Sequence, residues 1–279
     1  MPAVRGSLTV VGLGIEVPGH VTQQVLGAMG VADDLLYLVP DPVAAQWVDS
    51  VNPNARSLHA LYEPGRDRSE IYGGIVQEIL APLRRGRAVC AAFYGHPGVF
   101  VQPSHDAIRR AREEGFDARM LPGISADACL FADLGVDPST AGCQSYEATD
   151  LLLYARAIDP AVALVIWQAG AIGNVTYTPD GDTSRVPLLV DYLHRWYAPD
   201  HPVLLYEASS YAVCGPRIET IALEDLASAD IWPMTTLYVE PVRAELAPEM
   251  VELLGFDPVA ADEPDARAER AAATLPFDS

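Results

Sequence analysis

Short apolar runs alternate with segments of helical period along the first half of the chain. Residues 8–11, 35–39, 88–94 and 118–121 have strand character, and each stops at a glycine or proline. Residues 20–31 and 42–51 read as helices. So do 69–84, where Ile71, Ile75, Ile79 and Leu83 recur every four residues. Ser104 is the expected N-cap of a further helix ending at Glu114. Strands separated by helices of this length predict a parallel sheet covered on both faces.

The pattern changes after Pro122-Gly123. Strand-like runs recur at 162–167, 203–206, 217–222 and 236–239, with a polar loop at 180–185 and a helix expected over 190–197. The close spacing of the last runs predicts hairpins and a mixed sheet. The expected fold is therefore α/β and two-lobed, with a mostly parallel N-terminal sheet and a mixed C-terminal one. The expected division is 1–121, 122–242 and 243–279. The last segment holds a helix at 246–254 and an acidic, alanine-rich tail too poor in large apolar residues to order itself.

Composition narrows the function. Half of the 279 residues are hydrophobic, yet no uninterrupted apolar run has the length of a membrane span, and the N-terminus lacks the layout of a signal peptide. A cytoplasmic protein is expected. The net charge of −20 repels phosphate backbones and anionic lipid, which argues against nucleic-acid and membrane partners. Cys90, Cys129, Cys143 and Cys214 are widely spaced, and the six histidines show no ligand spacing, so no metal site is expected.

Candidate chemistry sits in the turns. Gly12-Leu13-Gly14, Tyr94-Gly95-His96-Pro97-Gly98 and Pro122-Gly123-Ile124-Ser125-Ala126 each follow a predicted strand, where open α/β sheets bind ligands. The first is not a dinucleotide fingerprint, because Val17 stands where the third glycine belongs. A second cluster runs from Tyr62 to Tyr72. A helix beginning near Arg68 puts Arg68 and Tyr72 on one face, within reach of Tyr62. The same pattern suits a solvated helix start with its tyrosines packed on the sheet. It also suits an oxyanion stabiliser surrounded by proton-relaying phenols.

The three turns in this order resemble the tetrapyrrole methylase fold family of S-adenosylmethionine-dependent methyltransferases. His96 stands where most of that family carries Asp, and Ile15-Glu16-Val17-Pro18-Gly19 departs from its usual Pro-Gly-Asp-Pro run. The chain is more similar to the borosin α-N-methyltransferases, which methylate backbone amides of ribosomal precursor peptides (RiPPs). Tyr94 to Phe100, Gly123 to Leu134 and Ser145-Tyr146-Glu147-Ala148 carry this likeness, which spans roughly residues 7–241.

The resemblance implies S-adenosylmethionine as cofactor, held by Tyr94, His96, Val99, Phe100, Ser125, Ala126, Gln168, Thr235 and Thr236. It implies catalysis by Tyr62, Arg68, Tyr72 and Tyr94, with Arg66 a rival for the arginine role. It also implies a homodimer. The tail offers only Val259, Leu275 and Phe277 as larger apolar residues. That favours a precursor peptide supplied in trans, two of them on the dimer in a heterotetramer. The competing expectations are a tetrapyrrole or small-molecule methyltransferase and a non-catalytic S-adenosylmethionine-binding scaffold.

Overall fold

The computed structural model of the chain describes residues 6–257. These divide into two compact units. The first runs to Asp133 and takes in Asn174–Gly181 and Glu207–Arg217; the second comprises Leu134–Gly173, Asp182–Tyr206 and the chain from Ile218. The division falls after Asp133 instead of at Pro122-Gly123, because the helix that follows this turn belongs to the first unit. The unstructured tail expected beyond the last helix lies outside the described residues.

In the first unit β1 (Ser7–Gly12), β2 (Asp34–Leu38), β3 (Ala55–Ser57), β4 (Ala88–Phe93) and β5 (Asp117–Leu121) form one sheet in the order β3-β2-β4-β1-β5. Its neighbouring strands pair in parallel. Five helices join or follow the strands: α1 (Gln23–Val31), α2 (Pro42–Val51), α3 (Arg68–Arg84), α4 (Gln102–Glu113) and α5 (Ala126–Leu134). Alternation along the strands sorts the two faces. Leu8, Val10, Val89, Ala91 and Phe93 join Ile71, Ile75, Ile79 and Leu83 of α3 in one core. Val11, Leu35, Tyr37, Cys90 and Ala92 face α1 and α2 in the other. The expected doubly covered parallel sheet is borne out.

Ser104 does not cap α4. The helix starts two residues earlier at Gln102, with Pro103 in its first turn. Ser104 is fully buried, and its hydroxyl donates to the Val101 carbonyl at 2.8 Å and to that of Pro97. A proline in the first helical turn was the stronger start signal.

The second unit contains α6 (Pro138–Ala141), β6 (Cys143–Glu147), α7 (Ala148–Leu153), β7 (Ala163–Trp167), α8 (Val186–Leu193), β8 (Pro202–Glu207), β9 (Arg217–Ala222), β10 (Thr236–Val239) and α9 (Pro248–Leu254). Its sheet runs β6-β7-β10-β8-β9. β6 pairs with β7 in parallel, while β10 is antiparallel to both β7 and β8. The sheet is mixed, as expected. The helix predicted over 190–197 is α8, four residues earlier; Pro187 again marks its first turn.

Candidate active site

Three turns meet at the carboxyl ends of adjacent strands. Gly14 N–H donates to the Gly95 carbonyl at 3.2 Å, and Gly95 N–H returns a bond to the Gly14 carbonyl at 2.9 Å. A Cβ on Gly12 would lie 2.5 Å from the Gly95 oxygen and 2.8 Å from Gly123 Cα. One on Gly123 would lie 2.4 Å from that same oxygen. Only glycine lets the turns after β1, β4 and β5 touch backbone to backbone.

Side chains then lock each turn. His20 Nδ1 accepts from the N–H groups of Ile15 (3.3 Å) and Glu16 (3.2 Å). His96 Nδ1 accepts from Gly98 N–H at 2.9 Å, so this histidine shapes its own turn. Ser125 donates its hydroxyl to Asp127 at the start of α5. Ala126 opens that helix. Val99 N–H donates to the His96 carbonyl at 3.1 Å.

Phe100 follows at φ 54° and is half-exposed. Among the described residues three non-glycine residues have positive φ, and two of them, Phe100 and Gln168, were singled out as cofactor residues. Strain of this kind collects at ligand sites.

The arginine–phenol cluster also forms. Asp67 caps α3, so Arg68 is its first residue and Tyr72 stands one turn on. The chain returns to this place through Asn174–Gly181. Arg68 N–H donates to the Val175 carbonyl, Gly65 N–H to that of Tyr177, and Tyr177 N–H to that of Arg66, each at 2.9 Å. This short antiparallel ladder sets the Tyr177 ring edge-on to Tyr62, centroids 5.0 Å apart. Tyr177 is absent from the sequence-based set; no local signal places residue 177 beside residue 62.

The electrostatics of the cluster are uneven. Burial pushes the Tyr62 phenol well above its ordinary value, the Tyr72 phenol adds to this, the Arg68 cation pulls against it, and Tyr177 adds again. Arg68 Nε is buried with no hydrogen-bond partner. A buried donor left unpaired is costly, and an oxygen acceptor arriving there relieves that cost. The rival Arg66 differs in having a carboxylate partner: it lies 3.7 Å from Glu70 in an ion pair.

Tyr94 follows β4 directly, its N–H donating to the Leu38 carbonyl at 3.1 Å. Burial raises its phenol above the ordinary value, while a hydrogen bond from Ser210 opposes the rise.

In the second unit, Gln168 follows β7 in the left-handed region at φ 57°. β10, which Thr235 precedes, pairs antiparallel with β7, Leu237 opposite Ile166. Thr235 and Thr236 are buried, and Thr235 Oγ1 accepts from Trp232 N–H at 2.9 Å.

A family model, Tetrapyrrole (Corrin/Porphyrin) Methylases, matches residues 7–227. Over 259 residues the chain is 39% identical to the methyltransferase/ribosomally synthesized cyclic peptide dendrothelin A precursor of Dendrothele bispora, covering 91% of this chain and 62% of that protein. A methyltransferase/type I borosin cyclic peptide precursor of Mycena rosella is 39% identical, with 90% and 64% covered. For the omphalotin A precursor of Omphalotus olearius the values are 38%, 85% and 58%. The chain thus spans about three-fifths of the length of these curated relatives. The uroporphyrin-III C-methyltransferase from Thermus thermophilus, solved with S-adenosyl homocysteine, shares the fold at a TM-score of 0.59 and 19% identity, covering 84% of this chain and 97% of that one.

Proposed function

The chain belongs to the tetrapyrrole (corrin/porphyrin) methylase family, and from that membership we propose that it transfers a methyl group from S-adenosylmethionine to backbone amide nitrogens of a ribosomally made precursor peptide. The observation that carries this proposal is the buried, unpartnered Arg68 Nε beside a set of phenols. A methyl donor alone gives no reason to leave a guanidinium N–H buried and unpaired there; a substrate oxygen that gains negative charge does.

The glycine cradle fits the donor. Backbone approaches of 2.5 and 2.8 Å to the Cβ position of Gly12 leave room only for main chain, so amides and carbonyls can line a ligand closely. In the first unit the proposed holders are Tyr94, His96, Val99, Phe100, Ser125 and Ala126; in the second they are Gln168, Thr235 and Thr236. Bound S-adenosylmethionine supplies an electrophilic methyl group on a sulfonium.

The protein's task is to make an amide nitrogen nucleophilic. Its lone pair is delocalised into the carbonyl, so the N–H proton must leave. Charge then builds on the carbonyl oxygen, where the Arg68 guanidinium donates and cannot lose its own proton. A donor of this kind is typically worth about 10² to 10³ in kcat. A phenolate from Tyr62, Tyr72 or Tyr94 takes the amide proton. The precursor is supplied in trans to a cytoplasmic homodimer, two per dimer. Support for the assembly is the borosin likeness. No described helix is long and apolar enough to cross a membrane.

The test is mass spectrometry of precursor incubated with enzyme and donor. Arg68→Ala and Tyr72→Phe abolish methylation while S-adenosylhomocysteine affinity stays within a few fold. Normal turnover by either variant sinks the mechanism. Methyl-sized mass increments on the enzyme expressed alone would place the substrate in cis.

A further inference from the structure

The ring of Tyr62 needs an anchor that its own stretch of chain does not supply. The residue follows a single 3-10 turn, His59–Leu61, and the backbone bonds around it are local. Tyr62 N–H donates to the His59 carbonyl at 2.9 Å, and Glu63 N–H to that of Leu61 at 3.1 Å. These bonds fix the main chain. They leave the ring its two torsions, of which the second is broad for tyrosine. His59 lies nearly parallel to the ring, but it is exposed and its centroid is 6.2 Å away. The near neighbour is Tyr177, edge-on at 5.0 Å with 78° between the planes. That distance is within the range such pairs prefer.

Tyr177 is itself held from both sides. Its N–H donates to the Arg66 carbonyl and its carbonyl accepts from Gly65 N–H. The preceding residue, Thr176, bridges to Asp67, the cap of α3. Asn174 braces the turn across Tyr177: its Oδ1 accepts from Thr176 N–H at 3.1 Å, and its Nδ2 donates to Thr178 Oγ1 at 2.6 Å. Apolar burial does not account for the whole segment, since Val175 is 69% exposed. Tyr177 is the member that packs on the core of α3 and β4, where Tyr62 and Tyr72 also pack. The same turn therefore carries the Val175 carbonyl to the first N–H of α3, at Arg68, and the Tyr177 ring to Tyr62.

We propose that Tyr177 is a positioning residue for Tyr62: its ring, held on the Asn174-braced turn, fixes the direction in which the Tyr62 phenol points. This rests on the reading that Tyr62 acts on the substrate amide. A proton acceptor works only within hydrogen-bond reach of the proton it takes, and a ring that swings about its torsions carries its hydroxyl out of that reach. The contact is ring against ring, so the Tyr177 hydroxyl is not required and phenylalanine suffices there.

The experiment uses the full chain in the precursor methylation assay, and in parallel with fluorotyrosine incorporated at position 62. Tyr177→Leu lowers kcat by about two- to tenfold, the worth of one edge-on aromatic pair in the aligned population. The donor KM holds. Tyr177→Phe, which keeps the ring, restores kcat. The ¹⁹F resonance moves toward its unfolded-chain value in Tyr177→Leu and stays in place in Tyr177→Phe. Asn174→Ala, which loosens the turn without touching either ring, moves the resonance the same way and lowers kcat, so the test survives a Tyr177→Leu chain that does not fold. On a Tyr62→Phe background Tyr177→Leu has no further effect on kcat. Normal kcat in Tyr177→Leu, a loss that phenylalanine does not restore, or an effect additive with Tyr62→Phe overturns the proposal. Should Tyr62→Phe keep full turnover, the catalytic reading of Tyr62 falls, and the fluorine signal alone decides whether Tyr177 holds the ring.

Discussion

Replacing Gly12 with alanine adds one methyl group where three turns touch. Its Cβ would lie 2.5 Å from the Gly95 oxygen, 2.6 Å from Pro97 Cδ and 2.8 Å from Gly123 Cα. Ordinary contact begins near 3.4 Å, so the Gly95 carbonyl must retreat by about 0.9 Å. Two of these three neighbours are backbone, and none is the end of a flexible side chain. The cost should fall in the upper part of the 1 to 3 kcal/mol range typical of overpacking, about 2 to 3 kcal/mol. A displacement of this size beside Tyr94 also spoils alignment, and misplacements near 1 Å cost about 10² in rate. Gly27→Ala and Gly30→Ala in α1 are the controls: nothing lies within 4 Å of either new Cβ. Both should be neutral or stabilising by up to about 1 kcal/mol. Urea unfolding followed by tryptophan fluorescence reads the stability, and calorimetric titration with S-adenosylhomocysteine reads the site. Wild-type stability and affinity in Gly12→Ala would refute the close-approach reasoning.

If Tyr62 or Tyr94 is the base, kcat climbs with pH through the neutral and mildly alkaline range, because both phenols sit above their ordinary value and only the ionised form accepts a proton; a flat profile with chemistry rate-limiting contradicts this. His20→Ala removes the acceptor for the Ile15 and Glu16 amides, so hydrogen exchange at those two amides should accelerate well before global unfolding, and unchanged protection would show that the loop holds itself. Alkylation should mark the exposed Cys214 first, while Cys90, buried in β4 with its thiol pushed up to about 12, reacts only on unfolding; early labelling of Cys90 in peptide maps would contradict its packing.

Much of the first unit was legible locally. Strand ends were marked by Gly12, Pro40, Gly95 and Pro122, and α3 by a four-residue apolar repeat. These signals live within a few residues, because side-chain period and turn chemistry are properties of adjacent backbone torsions. The same locality explains the errors at Ser104 and at 190–197, where prolines in the first turn of each helix were better markers than the residues used. β6 escaped notice for another reason. Its sequence, CQSYE, has no fully buried position, and only pairing with β7 makes it a strand.

The chain by itself determined the sheet-forming runs, the three glycine turns and the Arg68–Tyr72 face, since each needs only short-range order. The tertiary structure alone decided that the Tyr177 ring meets Tyr62 edge-on, that Arg68 Nε is left buried without a partner, and that Tyr211 reaches back to Asp41. Those contacts join segments more than a hundred residues apart. Their geometry depends on how two sheets order their strands, and that order follows from burying both faces of a parallel sheet, which no single stretch of sequence encodes.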